Sequence, residues 1–196
     1  MTNYHFIRAA VTGPIASGKT TVCQQLQNKG SIIISWDKVY AKLLQTDEIL
    51  QRRLRQAFLI PNNQVILPFL KKTIFNQNGG YNVQALKLLN SITHPIIAKK
   101  AFIKEKSLVV NYDKRGQQTS NPDDLYPLVV HEVPLLYQSH LDKKFDRIYI
   151  CLTSNSTLLQ RVMKRDKLTK SQAQARIDAS QFNFPIHDAK VIVVNN

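Results

Sequence analysis

Phe6-Ile7-Arg8-Ala9-Ala10-Val11-Thr12-Gly13-Pro14-Ile15-Ala16-Ser17-Gly18-Lys19-Thr20-Thr21-Val22 sets the architecture of this chain. The run from Phe6 to Thr12 reads as a buried strand. Lys19 to Asn28 carries Val22, Cys23 and Leu26 at helical spacing until Gly30 stops it. Between them, Gly13 to Thr20 is the Gly-x-x-x-x-Gly-Lys-Ser/Thr pattern of a phosphate-binding loop, in the strand-loop-helix context that the pattern requires. Such a loop turns several backbone N–H groups into one concavity, so glycine is needed where φ is positive or a Cβ would clash. Gly13 and Gly18 fill those places. Lys19 can reach the β- and γ-phosphates, the Thr20 hydroxyl can ligate Mg2+, and the helix N-terminus adds partial positive charge. Gly13, Ala16, Ser17, Gly18, Lys19, Thr20 and Thr21 are therefore expected to hold a nucleotide, with ATP the first choice.

Further along, Ile32-Ile33-Ile34-Ser35 is a short continuous apolar run, as expected for a strand buried on both faces, and Leu128 to Val133, Arg147 to Leu152 and Val191 to Val194 read as further buried strands. Helical patterns run through Val39 to Leu44, Glu48 to Ala57, Phe69 to Phe75, Val83 to Ile92, Ile96 to Lys106, Asn155 to Lys167 and Ser171 to Ser180. His94 precedes Pro95, which predicts an extended residue at a helix start there. Asp37 closes the second strand and can cap the next helix. Strands alternating with helices argue for an α/β fold with a mainly parallel five-stranded sheet, and for ligands at the strands' carboxyl ends. The stretch from Val39 to about Ser107 reads as a helical insertion, and 112–127, rich in Gly, Gln, Ser, Asn, Pro and Asp, as an exposed loop.

The chain has 196 residues, enough for one core without disulfides or metals, and no apolar run long enough to span a bilayer. Its start, Met1 to Phe6, lacks the features of a secretory signal, so a cytoplasmic protein is expected. Cys23 and Cys151 sit in a predicted helix and a predicted strand, which favours two buried thiols over a disulfide. With 27 Lys+Arg against 13 Asp+Glu the net charge is +14, which suits anionic partners without choosing among them.

A phosphate-binding loop also serves GTPases and motor ATPases, but no Asn-Lys-x-Asp segment for guanine occurs. A helical insertion after the second strand and a basic helical segment before the last suit a metabolite kinase with an acceptor site and a lid. The sequence resembles the dephospho-CoA kinases. The resemblance rests on Thr12-Gly13 through Lys19-Thr20-Thr21-Val22, Asp37, Leu89-Asn90-Ser91-Ile92-Thr93-His94-Pro95-Ile96-Ile97 and Val133-Pro134-Leu135-Leu136-Tyr137. It continues in Gln160-Arg161, Arg165-Asp166, Arg176-Ile177, Gln181, Ala189, Val191-Ile192 and Asn195-Asn196, so that it covers nearly the whole chain. The departures are Ser35, Leu67, Gln138 and Lys190, which stand where this family has Asp, Arg, an acidic residue and Asp, and a chain that stops at Asn196 where relatives continue into another helix.

The resemblance implies the P-loop kinase fold and ATP-dependent phosphorylation of the ribose 3'-hydroxyl of dephospho-coenzyme A, with Mg2+. It implies a nucleotide-binding core over 1–37, 107–160 and 186–196, a helical acceptor subdomain over 38–106 and a lid over 161–185. Asp37 is the candidate base, aided by Lys19 and Arg165. Arg161 and Arg165, four apart on one helical face, are candidates for closing over the phosphates. Glu132, at a strand end, can hold a magnesium-bound water, while His131 points to the opposite face. His94, Leu135 and Gln181 complete the expected acceptor and lid contacts. The expected partner is a small molecule, with no nucleic acid or membrane, and the protein is expected to be a monomer or weak homo-oligomer. Two alternatives remain at this point: another nucleoside or nucleotide kinase, and a catalytically weakened nucleotide- or nucleic-acid-binding P-loop protein.

Overall fold

The computed structural model describes residues 6–75, 80–113, 128–180 and 182–196. Strands β1 (Ile7–Thr12), β2 (Ile32–Ser35), β3 (Leu128–Glu132), β4 (Arg147–Leu152) and β5 (Val191–Asn195) form one sheet in the order β2-β3-β1-β4-β5. All four pairings are parallel. Helix α1 (Lys19–Asn28) follows β1. Helices α2 (Trp36–Thr46), α3 (Glu48–Phe58), α4 (Ile66–Ile74) and α5 (Val83–Asp113) stand between β2 and β3. Helices α6 (Asn155–Asp166) and α7 (Lys170–Ser180) join β4 to β5.

Alternation along the strands divides the core between the two faces of the sheet. Ala10, Ile34, Val129, Ile148 and Ile150 face α2 to α5, with Leu50, Leu54, Leu70 and Ala101 packed against them. Ala9, Val11, Val130 and Cys151 face the other side, where Val22 and Cys23 of α1 lie. A smaller cluster, Leu158, Val162, Ala173 and Ile177, holds α6 to α7 and touches Ile15 and Ala16 of the phosphate loop. Burial pushes the thiol pKa values up, to about 12 for Cys23 and about 11 for Cys151, and both cysteines are free.

Three expectations are corrected. The helices expected on either side of Pro95 are one helix of 31 residues that runs through the proline and on to Asp113, past the expected end of the insertion. Proline removes one backbone donor. The helix is held across that gap by packing on both sides: Thr93, Ile97 and Ala101 are buried, and His94 bonds to Ser139. Asp37 is not a cap: Ser35 occupies that position and Asp37 lies in the first turn of α2. Helix α4 starts at Ile66, ahead of Pro68, because a first-turn proline lacks only a donor that would be unpaired anyway. Of the expected loop 112–127, positions 114–127 lie outside the described residues.

A polar chain, buried except at its Arg8 end, crosses the insertion face. Trp36 Nε1 donates to His131 Nδ1 at 3.0 Å, His131 Nε2 meets Glu105 Oε2 at 2.7 Å, and Arg8 donates to Glu105 through Nε and Nη2 at 2.8 and 2.6 Å. Burial alone would raise the Glu105 pKa, but the hydrogen bonds and charges of Arg8 and His131 outweigh it and hold it at about 2. That lies below the unfolded-state value of about 4.3, so the stabilisation is full above that pH and is lost as pH falls toward 2. Glu105→Gln is expected to lower stability at neutral pH by about 2–4 kcal/mol and to flatten the acid limb of a stability-against-pH curve, as measured by urea denaturation at stepped pH.

Candidate active site

The loop after β1 opens a cleft of about 1180 Å³ between the carboxyl ends of the strands, the helical insertion and α6–α7. Gly13 has φ 141° and Gly18 φ 92°, both in the region that favours glycine. A Cβ on Gly13 would run into the Cys151 carbonyl of β4, and one on Gly18 would lie 2.8 Å from Asn196 Nδ2. Ala16 is also left-handed, with φ 58°, and its carbonyl accepts from Arg161 Nη1 at 3.2 Å. Two further bonds fix the loop from outside. Ile15 N donates to Ser180 Oγ at 3.1 Å, and Asn196 Nδ2 donates to the Ser17 carbonyl at 2.9 Å. Lys19 Nζ donates to the carbonyls of Gly13 and Pro14, at 3.0 and 2.7 Å. Burial lowers its pKa, opposed by Cys151, Asp37 and Glu132.

Two carboxylates line the cleft. Glu132, 8% exposed at the end of β3, accepts from Thr20 Oγ1 at 2.8 Å. Asp37 is solvent-accessible but sits on the cleft wall, near enough to Glu132, Lys19 and Arg165 to feel their charges. Crowding by protein atoms, then Glu132, raises its pKa, and Lys19 and Arg165 oppose this. On α6, Arg165 donates through Nε and Nη2 to the two Asp166 oxygens at 2.8 and 3.0 Å. Arg176 of α7 reaches the same carboxylate at 2.6 Å and lies over the Phe75 ring, 5.3 Å from its centroid.

Of the residues expected from sequence, Gly13, Ala16, Ser17, Gly18, Lys19, Thr20, Thr21, Asp37, Glu132, Leu135, Arg161 and Arg165 all line this cleft. His94 does not. It lines a neighbouring cavity of about 750 Å³ with Pro95, Gln138 and Ser139. Its Nδ1 lies 2.6 Å from Ser139 Oγ, which itself donates to the Leu135 carbonyl at 2.8 Å. The hydroxyl proton is thus engaged, so His94 donates from Nδ1, and burial keeps its pKa low. His94 braces the turn that carries Leu135 into the main cleft. Gln181 lies outside the described residues. Sequence reasoning did not single out Ser180, Asn196, Lys71 or Phe75 for the site. Asn196 had a readable signal, since it directly follows a strand that must end near the loop, whereas the others are placed by tertiary packing alone.

A parallel sheet with a phosphate loop at its centre, a cationic helical pair above it and a helical insertion beside it defines a P-loop kinase. The crystal structure of a Thermus thermophilus protein has the same fold, with a TM-score of 0.68 and 22% identity over 98% of this chain and 89% of that one. A dephospho-CoA kinase from Campylobacter jejuni matches with a TM-score of 0.53 and 25% identity, over 96% of this chain and 87% of that one. A sequence model of the dephospho-CoA kinases matches residues 7–196. A dephospho-CoA kinase of Moorella thermoacetica is 32% identical over 86% of this chain and 74% of its own length. That of Latilactobacillus sakei is 30% identical over 95% and 85%. The chain belongs to the dephospho-CoA kinase family, and its reaction is the ATP-dependent phosphorylation of dephospho-coenzyme A.

The bond from Asn196 to Ser17 fixes the phosphate loop from the end of β5. Asn196→Ala is expected to weaken ATP binding about threefold to tenfold, read by isothermal titration, with the fold unchanged by circular dichroism.

Proposed function

We propose that Asp37 is the base of this reaction. It accepts the proton of the ribose 3'-hydroxyl as that oxygen bonds to the γ-phosphorus of ATP, the bond to the β-phosphate oxygen breaks and ADP leaves. The observation that carries this is the division of labour between the two cleft carboxylates: Glu132 is hydrogen-bonded to Thr20, while Asp37 has no hydrogen-bond partner among the described residues. Lys19 and the loop N–H groups hold the triphosphate. Arg161 and Arg165, on the lid over 161–185, close over it. The acceptor lies against the helical insertion, whose residues in the cleft are Asp37, Lys71, Phe75 and Leu86.

Thr20 and Glu132 suit Mg2+, since a hydroxyl and a nearly buried carboxylate 2.8 Å apart form an all-oxygen donor pair. Once bound there, the ion would neutralise charge on the β- and γ-phosphates. Among the described residues no cluster of three or more His, Cys, Asp or Glu could hold a metal by itself, so the ion would arrive with the nucleotide. We place the reaction in the cytoplasm, which the two free thiols favour.

Asp37→Asn is expected to lower kcat about 10²–10⁴-fold while ATP affinity stays within a few fold, and near-normal turnover would overturn the assignment. The base must be ionised, so kcat in the native enzyme falls as pH drops through the Asp37 pKa. Crowding and Glu132 put that limb above the ordinary aspartate value of about 3.9, and pH-rate profiles of the two proteins should show it in the native enzyme only.

A further inference from the structure

The reaction as described makes no use of the buried chain of Trp36, His131, Glu105 and Arg8. An indole N–H only donates, so His131 accepts at Nδ1 and carries its proton on Nε2, which donates to Glu105. The donors along the chain therefore converge on Glu105, which accepts from His131 on one side and from Arg8 on the other. Phe102 stands edge-on to Trp36, with centroids 6.1 Å apart, and Phe145 edge-on to His131 at 5.4 Å, which blocks rotation of both rings.

The two rings are chain neighbours of the two cleft carboxylates: Trp36 precedes Asp37, and His131 precedes Glu132. Ser35 pairs with Glu132 in the β2–β3 register. The first turn of α2 has no side-chain cap, because the Ser35 hydroxyl makes no capping bond, and an uncapped turn frays more readily. The Trp36 indole supplies an anchor at that same turn.

We infer that the bond from Trp36 to His131 is a positioning device: it pins the first turn of α2 to β3 and so sets where the Asp37 carboxylate stands in the cleft, while Glu105 and Arg8 steady the fold behind His131. This rests on Asp37 being the base. Trp36→Phe removes the donor and keeps a ring. His131→Asn keeps an acceptor near the place of Nδ1 but loses the contact with Glu105, and His131→Gln does the reverse. Steady-state kinetics per folded molecule, with thermal melts alongside, give the readout. Trp36→Phe and His131→Gln are expected to lose about tenfold or more in kcat with KM for ATP within about twofold. His131→Asn is expected to keep kcat within about threefold although it melts lower, because it gives up the contact with the charged Glu105. In an Asp37→Asn background, Trp36→Phe is expected to add no further loss. Wild-type kcat in Trp36→Phe, or kcat values that follow melting temperature so that His131→Asn is slower than His131→Gln, would overturn the inference. Should Trp36→Phe not fold, the order of the two His131 variants decides. An Asp37→Asn enzyme with near-normal turnover overturns the base assignment and this inference together; one slowed as expected beside a full-rate Trp36→Phe overturns the inference alone.

Discussion

The close approach of the phosphate loop to β4 is the constraint on which the rest of the cleft depends. At Gly13 the backbone lies so near the Cys151 carbonyl that no side chain fits between them. This contact keeps the loop folded back over the end of the sheet, with Lys19 starting α1 directly behind it. The centre of the sheet cooperates, because Ala9 and Ala10 are fully buried and small enough for close packing on both faces. Ser180 and Asn196 then hold the loop from α7 and from the end of β5, so elements distant in sequence share in shaping one turn.

Strand parity does the remaining division of work. On β3, successive residues point to opposite faces, so His131 goes into the insertion-side core and Glu132 goes to the cleft. One strand thus supplies a buried ring to the core and a carboxylate to the cleft, and neither placement compromises the other. The pair α6–α7 follows a different logic. Asp166 holds Arg165 and Arg176 together, and Arg176 rests on Phe75, so cations that would repel one another are kept close without a ligand between them.

Much of this was legible in the sequence wherever the signal was local. Continuous apolar runs gave the parallel strands, and the loop pattern located the nucleotide end of the cleft, because phosphate binding restricts backbone conformation over a few consecutive residues. Resemblance added Asp37, Arg161 and Arg165. The break expected at Pro95 was an inference from local backbone preference, and tertiary packing of the flanking turns overrode it. The partnership of Arg8, Glu105 and His131 was invisible, since it joins three elements far apart in the chain and any one of those residues alone reads as an ordinary strand or helix position.

The uninterrupted course of α5 has a mechanical meaning. At 1.5 Å per residue it is a rod of about 46 Å, which lines the small cavity at His94 and carries the buried Glu105 about 16 Å further along. A rod without a joint moves as one piece, and its far half is clamped to β1 and β3 through Glu105. The wall of the cleft formed by the insertion is therefore braced against the sheet, and α6–α7 are joined to each other, and to Ile15 and Ala16 of the phosphate loop, by a small cluster of four buried side chains.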